Sequence, residues 1–315
     1  MDRTQNQHGP ENDTPGTPQT RLTANLRRHV DRLAGLIGPR HVGAPKALEA
    51  AATLIERELS APGYAVERQW YLAQGHDVSN LVAELPGTNR PDRIVVLGAH
   101  YDTVATTPGA DDNASAVAVL LEVTRILRSC RPNRTIRFVA FACEEPPHYF
   151  THEMGSQVYA RQCRARGEQI VGMLCLEMVG YFVSAKGSQR VPEAIPRFLH
   201  WAFPRRGNFL AAVGNMPSWR LCWKFRGGFK RATRFPLFSI CLPELIHDIR
   251  RSDNSSFWDQ GYSALMLTDT SYLRNPHYHL TSDTPDTLDY ESMASITIGV
   301  AGAVARLAGA RGFLP

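Results

Sequence analysis

Carboxylates and imidazoles recur in this chain at the places where apolar runs stop. RIVVLG (residues 93–98) leads into His100-Tyr101-Asp102, IRFVAFAC (136–143) into Glu144-Glu145, and a third run starting at Ile170 reaches Glu177. Between the first run and the next helical stretch stands GADDNAS (109–115), with Asp111 and Asp112, and near the C-terminus His279 precedes Ser282-Asp283-Thr284. Imidazole and carboxylate are the oxygen and nitrogen ligands of a zinc site. Taken singly, each has an ordinary reading. A carboxylate after a strand caps a helix or faces water, and that is the expectation for Asp111; a lone His is a satisfied surface or core residue. Glu144 and Glu145 are harder to dismiss, because two uncompensated carboxylates beside a buried strand are costly. One shared metal site accounts for all of them together.

The elements that must position these residues follow from periodicity. Apolar residues at helical spacing run from Arg21 to Ile37, where Gly38-Pro39 stops them, and again from about Pro45 to Leu59, before Pro62-Gly63. Val66–Leu72 and Val78–Leu85 roughly alternate and read as an antiparallel pair. The pattern then changes to continuous apolar runs, at Arg93–Gly98, Thr135–Cys143, Ile170–Met178 and Ala264–Thr268, as expected of strands covered on both faces. Helical stretches separate or follow them, at Asn113–Leu127, Gly155–Arg166 and Thr287–Ala308. Strands alternating with helices predict an α/β fold, an α/β/α sandwich around a mixed, largely parallel central sheet. In such sheets ligands bind beyond the carboxyl ends of the strands, where the acids and imidazoles lie.

Residues 184–250 differ in texture, and four of the five tryptophans lie between 201 and 258. The stretch SWRLCWKFRGGFKRATRF is basic and aromatic. The whole of 184–250 is read as further α/β elements with an insertion that forms a lid or part of the pocket, and the basic-aromatic stretch within it as a lid over the site or a pocket wall for apolar side chains rather than as a nucleic-acid or membrane surface, because Gly227-Gly228 interrupts any long helix. The 315 residues carry 35 Lys plus Arg against 30 Asp plus Glu, a net of +5 that is too mild for a dedicated nucleic-acid binder. No apolar run approaches the roughly 18–20 residues of a membrane span, and the polar first 20 residues hold no secretory h-region and read as a disordered tail. The six cysteines form no C-x-x-C pair and are expected as reduced thiols, so the expectation is a cytoplasmic protein with neither a nucleic-acid nor a membrane partner.

GAHYDTV, GADDNAS, RFVAFACEE, LEMVGYF and PHYHLTSDTPDTLDY together resemble the motifs of the dizinc aminopeptidase family, the zinc exopeptidases of peptidase clan MH. That clan also holds glutamate carboxypeptidases and glutaminyl cyclases. The resemblance spans roughly residues 78–308, weakest over 184–250, and implies a single zinc exopeptidase domain over 21–315 with the phosphorylase/hydrolase-like sheet. It implies two Zn²⁺, one held by His100 and Glu177 and the other by Glu145 and His279, with Asp112 bridging. Co²⁺ or Mn²⁺ suit the same ligands. It further implies that Asp102 orients His100 and that Glu144 is the general base. The activity implied is release of N-terminal residues from a peptide with a free N-terminus; a single-zinc glutaminyl-peptide cyclotransferase and a non-catalytic binding protein are the alternatives. His277 competes with His279, whose spacing to Asp283-Thr284 fits the motif better, and His148 and His152 are read as loop residues. The chain departs from the family pattern at Glu177, where Asp is common, in the longer loop 146–154, and at Asp253-Asn254, where Asp-His is common.

Overall fold

The computed structural model describes residues 17–312. Its eight strands form one sheet. They are β1 (Val66–Ala73), β2 (His76–Leu85), β3 (Arg90–His100), β4 (Arg134–Phe141), β5 (Gln169–Glu177), β6 (Leu210–Asn215), β7 (Leu237–Leu242) and β8 (Ala264–Thr268), in the spatial order β1-β2-β4-β3-β5-β8-β6-β7. The centre is parallel: β4, β3, β5 and β8 point the same way. The β1–β2 hairpin joins β4 antiparallel, and its two-residue turn uses Gln74 and Gly75 at positive φ. At the other side β6 runs antiparallel to β8, with β7 parallel to β6.

Among the described residues seven α-helices flank the sheet: α1 (Pro18–Val30), α2 (Pro45–Ser60), α3 (Ala116–Leu127), α4 (Gly155–Ala165), α5 (Trp219–Ala232), α6 (Asn254–Asp259) and α7 (Tyr290–Ala308). Strand side chains alternate between two cores, as the pleat requires. Val95, Leu97, Leu174, Leu176, Leu265 and Leu267 join the larger core beneath α1, α2, α3, α5 and α7. Ile94, Val96, Met173 and Cys175 face the other way, onto Tyr159 of α4 and Phe257 and Trp258 of α6. The α/β/α sandwich expected from the pattern is the architecture observed.

Boundaries shift by a few residues. Helix α1 starts at Pro18 and passes at Asp31 into a π-helical segment that ends at Gly38, so residues 18–20, expected in the tail, are helical; the rest of that tail lies outside the described residues. The larger correction concerns Trp219–Phe235. Gly227 and Gly228 do not break it: Leu221, Cys222, Phe225 and Phe229 bury one face of α5 in the large core, and Gly228 sits where a Cβ would meet the α7 backbone at Ala303, 2.6 Å away. The stretch expected as a lid is therefore a helix packed on α7. Among the described residues all six cysteines are free, and no helix is long and apolar enough to cross a membrane.

Candidate metal centre

The sheet brings six residues from five separate parts of the sequence to one rim. His100 is the last residue of β3 and Glu177 the last of β5; Glu144 and Glu145 follow β4 by three residues. Asp112 lies in the irregular turn that opens α3, and His279 in the loop before α7. His100 Nε2 stands 3.3 Å from Glu177 Oε2, 3.5 Å from Asp112 Oδ1 and 3.8 Å from Glu144 Oε2. His279 Nε2 is 3.1 Å from Asp112 Oδ2 and 3.2 Å from Glu145 Oε1. Three three-residue groups with metal-ligating spacing result: His100–Asp112–Glu177 and Asp112–Glu145–His279, which share Asp112, and His100–Glu144–Glu145. His277 instead pairs with Ser282 Oγ, and His148 with Glu153.

Backbone anchoring by buried side chains holds this rim. The Asp102 carboxylate accepts from the N–H groups of Glu144 and Glu145 at 3.0 and 3.1 Å, and its Oδ1 lies 3.4 Å from His100 Nδ1. One side chain thus ties β3 to the turn after β4. Asp283 does the same for the other half, accepting from the N–H groups of Asp111 and Asp112 at 2.8 and 3.1 Å. The Asn113 side chain donates to Leu176 O and accepts from Met178 N–H, stitching the Asp112 turn to the end of β5. Arg40, fully buried, donates to the carbonyls of Tyr101, Pro108 and Gly109 and so fixes the same turn from below. Gly109 takes a left-handed φ of 63°, and a Cβ there would stand 2.3 Å from Asp112 O.

Asp111, expected as a helix cap or a solvated loop residue, is neither. It is fully buried, with Oδ1 accepting from Gly180 N–H and Oδ2 from Asn275 Nδ2. Sequence reasoning also missed Asp283, Arg40 and Asn275. Asp283 stood in the quoted motif, but nothing in the spacing of an acid near a C-terminal helix says that it grips a turn 172 residues away.

Charge at the centre is unbalanced. Burial drives Glu144 well above the ordinary glutamate range despite the pull of His100, and burial plus the Asp112 charge push Glu145 up to about 8. Burial disfavours the charged form of His279, but Asp112 and Glu145 outweigh it and raise the imidazole to about 10. Among the described residues no Lys or Arg lies within ion-pair distance of the six. His100 Nε2, Asp112 Oδ1 and His279 Nε2 are buried without a hydrogen-bond partner. Buried polar atoms in native proteins almost always have partners. Orphaned nitrogen and oxygen atoms converging on two points, within a surplus of carboxylate, fit a pair of divalent cations in donor type and in charge.

Beside Glu177 opens a cavity of about 110 Å³. Its wall is apolar, with Phe203, Phe209, Phe238, Ile240 and Met266, and Tyr278 closes it toward His279, on which it stacks at 3.8 Å. A dry cavity of about 150 Å³ holds benzene, so this one has the size for a medium apolar side chain. No residue of α5 lines it. Asn254, at the position where the family carries His, is buried and turned to Ile249 O. Tyr149, from the divergent loop 146–154, buries its hydroxyl without a partner beside Glu144 and Glu177.

Known proteins share the family and the fold of this chain. The family model described as peptidase family M28 matches residues 80–202, the span from β2 through the Glu177 strand. The chain is 34% identical over 297 residues to the uncharacterized protein YfbL of Escherichia coli, covering 92% of this chain and 90% of that one. It is 29% identical over 322 residues to a probable zinc metalloprotease of Pyricularia oryzae, covering 87% of this chain and 62% of the relative. Among solved structures, the aminopeptidase from Aneurinibacillus sp. strain AM-1 has the same fold, with a TM-score of 0.68 at 18% identity over 93% of this chain and 95% of that one. With the family model matching residues 80–202 and the relatives spanning most of its length, the chain belongs to peptidase family M28 and is, by that membership, a zinc-dependent peptidase.

Proposed function

We propose that this peptidase is an aminopeptidase that uses two zinc ions. His100, Asp112 and Glu177 would hold one and Asp112, Glu145 and His279 the other. The observation that carries the reading is the pair of three-residue groups sharing Asp112, in which His100 Nε2, Asp112 Oδ1 and His279 Nε2 are buried without a hydrogen-bond partner. Two such ions would polarise the scissile carbonyl and lower the pKa of the attacking water.

The chain's own residues divide the remaining work. Glu144 lies within ligating reach of His100 and Glu145 but outside the two groups that share Asp112, so with those two groups occupied its carboxylate would remain as the general base. Its carboxylate would take the proton of the attacking water and hand it to the departing amine. Asp102 would keep His100 in the ligating tautomer through Nδ1, while its grip on the Glu144 and Glu145 backbone fixes the base relative to the ligands. The cavity beside Glu177 would receive an apolar side chain of a peptide with a free N-terminus.

Purified protein loaded with zinc should hold two ions per chain and cleave aminoacyl amides but not their N-acetylated counterparts. Glu144→Gln should keep both ions and lose about 10²–10⁴ in kcat, the usual weight of a general base. Cleavage of the blocked peptides at equal rate would rule out the aminopeptidase reading. A single ion per chain would remove the two-zinc mechanism, and full activity in the Gln variant would remove Glu144 from its role.

A further inference from the structure

Between Glu193 and Glu244 the chain holds no acidic residue and nine basic ones, Arg197, Arg205, Arg206, Arg220, Lys224, Arg226, Lys230, Arg231 and Arg234. The whole chain carries +5, so this segment of +9 leaves the remaining residues at −4. Five of the nine are on α5. Its buried residues, Leu221, Cys222, Phe225, Gly228 and Phe229, take one side of the helix against α7. Its exposed residues, Trp219, Arg220, Trp223, Lys224, Arg226, Lys230 and Arg231, fall on the opposite side in adjacent rows spaced three and four apart. Arg306 of α7 extends the same surface, bordering a groove with Trp223, Lys224, Arg226, Lys230 and Arg231. Among the described residues none of these cations is within ion-pair distance of a carboxylate. Trp219 is 56% and Trp223 67% exposed, and Met216, just before the helix, is 55% exposed.

Exposed tryptophans interleaved with unpaired cations along one helix are the composition of a face that rests on a membrane, where indole rings settle at the headgroup level and cations meet anionic lipid. A duplex nucleic acid would meet the cations and leave the rings unused, and a single strand stacking its bases on them is the competing outcome of the test below. We propose that the outer face of α5, with Arg306, docks the enzyme on an anionic phospholipid surface. The helix lies on the surface and does not cross it: its apolar side is already committed to the protein core. None of these residues belongs to the metal centre or lines the cavity beside it, so docking and catalysis are separable.

The test is co-sedimentation of the full zinc-loaded chain with vesicles of phosphatidylcholine alone or with a third of phosphatidylglycerol, alongside a gel-shift arm with duplex DNA and with RNA. Binding should require phosphatidylglycerol and fall as salt rises toward about 1 M, where the Debye length is about 3 Å. Lys224→Glu with Lys230→Glu and Arg231→Glu should weaken it at least tenfold. Trp219→Ala with Trp223→Ala should weaken it severalfold at low salt and abolish any vesicle-induced blue shift of the tryptophan emission. Both variants should hydrolyse soluble aminoacyl amides at the parent rate, which shows them folded. Equal sedimentation with both vesicle types, unchanged binding by the charge-reversed variant, or nucleic-acid binding in place of vesicle binding would each overturn the proposal.

Discussion

Two buried acidic clusters, one gathered at the turn that opens α3 and one around Glu122 in the body of that helix, are treated in opposite ways. On α2, Glu58 is 7% exposed and is met by Arg32 at 3.0 Å, by Arg57 and by Arg125; nearby, Glu122 is met by His29 Nε2 at 2.9 Å and by the Asn25 amide. Burial pushes the Glu58 carboxyl up, but His29, Arg125, Arg32 and Arg57 outweigh it and hold it below the ordinary value. At the strand ends, Glu144 and Glu145 are as deeply buried, and both are driven upward instead. The fold therefore has the means to neutralise a buried acid with guanidinium groups, and among the described residues the candidate metal centre has none, only the imidazoles of His100 and His279. That contrast is what the proposed pair of zinc ions would account for, as counter-charge from outside the chain.

The comparison breaks most visibly if Glu145 and Glu58 are exchanged for glutamine and respond alike. Glu145→Gln should lose metal and at least about a thousandfold in turnover, since a ligand change of about 4 kcal/mol converts to that factor. Yet in the metal-free protein the same substitution should leave the melting temperature unchanged or raise it, because a carboxyl pushed up to about 8 by burial and by Asp112 is one the empty site tolerates badly. Glu58→Gln should lower the melting temperature and leave metal content and turnover alone. Calorimetry on both chelated variants reads the sign directly. A fall of equal size in both would mean that the metal centre is a structural ion network like the one at Glu58.

How much of this contrast was visible beforehand depends on the range of the interaction that carries it. The parallel centre was legible because buried strands announce themselves as continuous apolar runs, and His100, Glu144, Glu145 and Glu177 were legible because they stand just past the ends of those runs. Helix α5 was misjudged because Gly227-Gly228 is a helix breaker only in isolation; here Gly228 lets α7 approach, and tertiary packing outweighs propensity. The direction of β6 and β7 left no local trace, since parallel and antiparallel neighbours read alike in a five- or six-residue strand. The anchors Asp283, Arg40 and Asn113 were invisible as anchors for a related reason. Each acts on backbone far away in sequence, and a side chain that grips a distant N–H or carbonyl looks like any polar loop residue.

Asp102 sharpens the comparison further, since it is a buried carboxylate inside the metal centre that does find partners, two backbone N–H groups and an imidazole. Burial alone would raise it, but His100 and the N–H groups of Glu144 and Glu145 hold it below the ordinary range. Asp102→Asn keeps the shape, weakens the hold on His100 and presents an amide to one of the N–H groups. Loss of about 10–100-fold in metal affinity is expected, the usual cost of removing a group that orients a ligand. Zinc titration against a competing chelator measures it, and an unchanged affinity would reduce Asp102 to a backbone clamp.

The smallest effect expected is on the neutralised side, and its pH dependence has a definite sign. A glutamate held below its ordinary value of 4.5 in the folded protein binds protons less readily folded than unfolded. Its contribution is therefore complete above about 4.5 and is lost as pH falls through the lower, folded value. The guanidinium groups of Arg32 and Arg57 are partly exposed, so solvent screening keeps that contribution to about 1 kcal/mol. Denaturant unfolding at pH 7 should show Glu58→Gln less stable than the parent by about that amount, and the gap should close as pH falls from about 5 toward 3. A gap that stays constant over that interval would mean that Glu58 stabilises by packing alone, and the arginines around it would then be bystanders to a buried acid rather than its counter-charge.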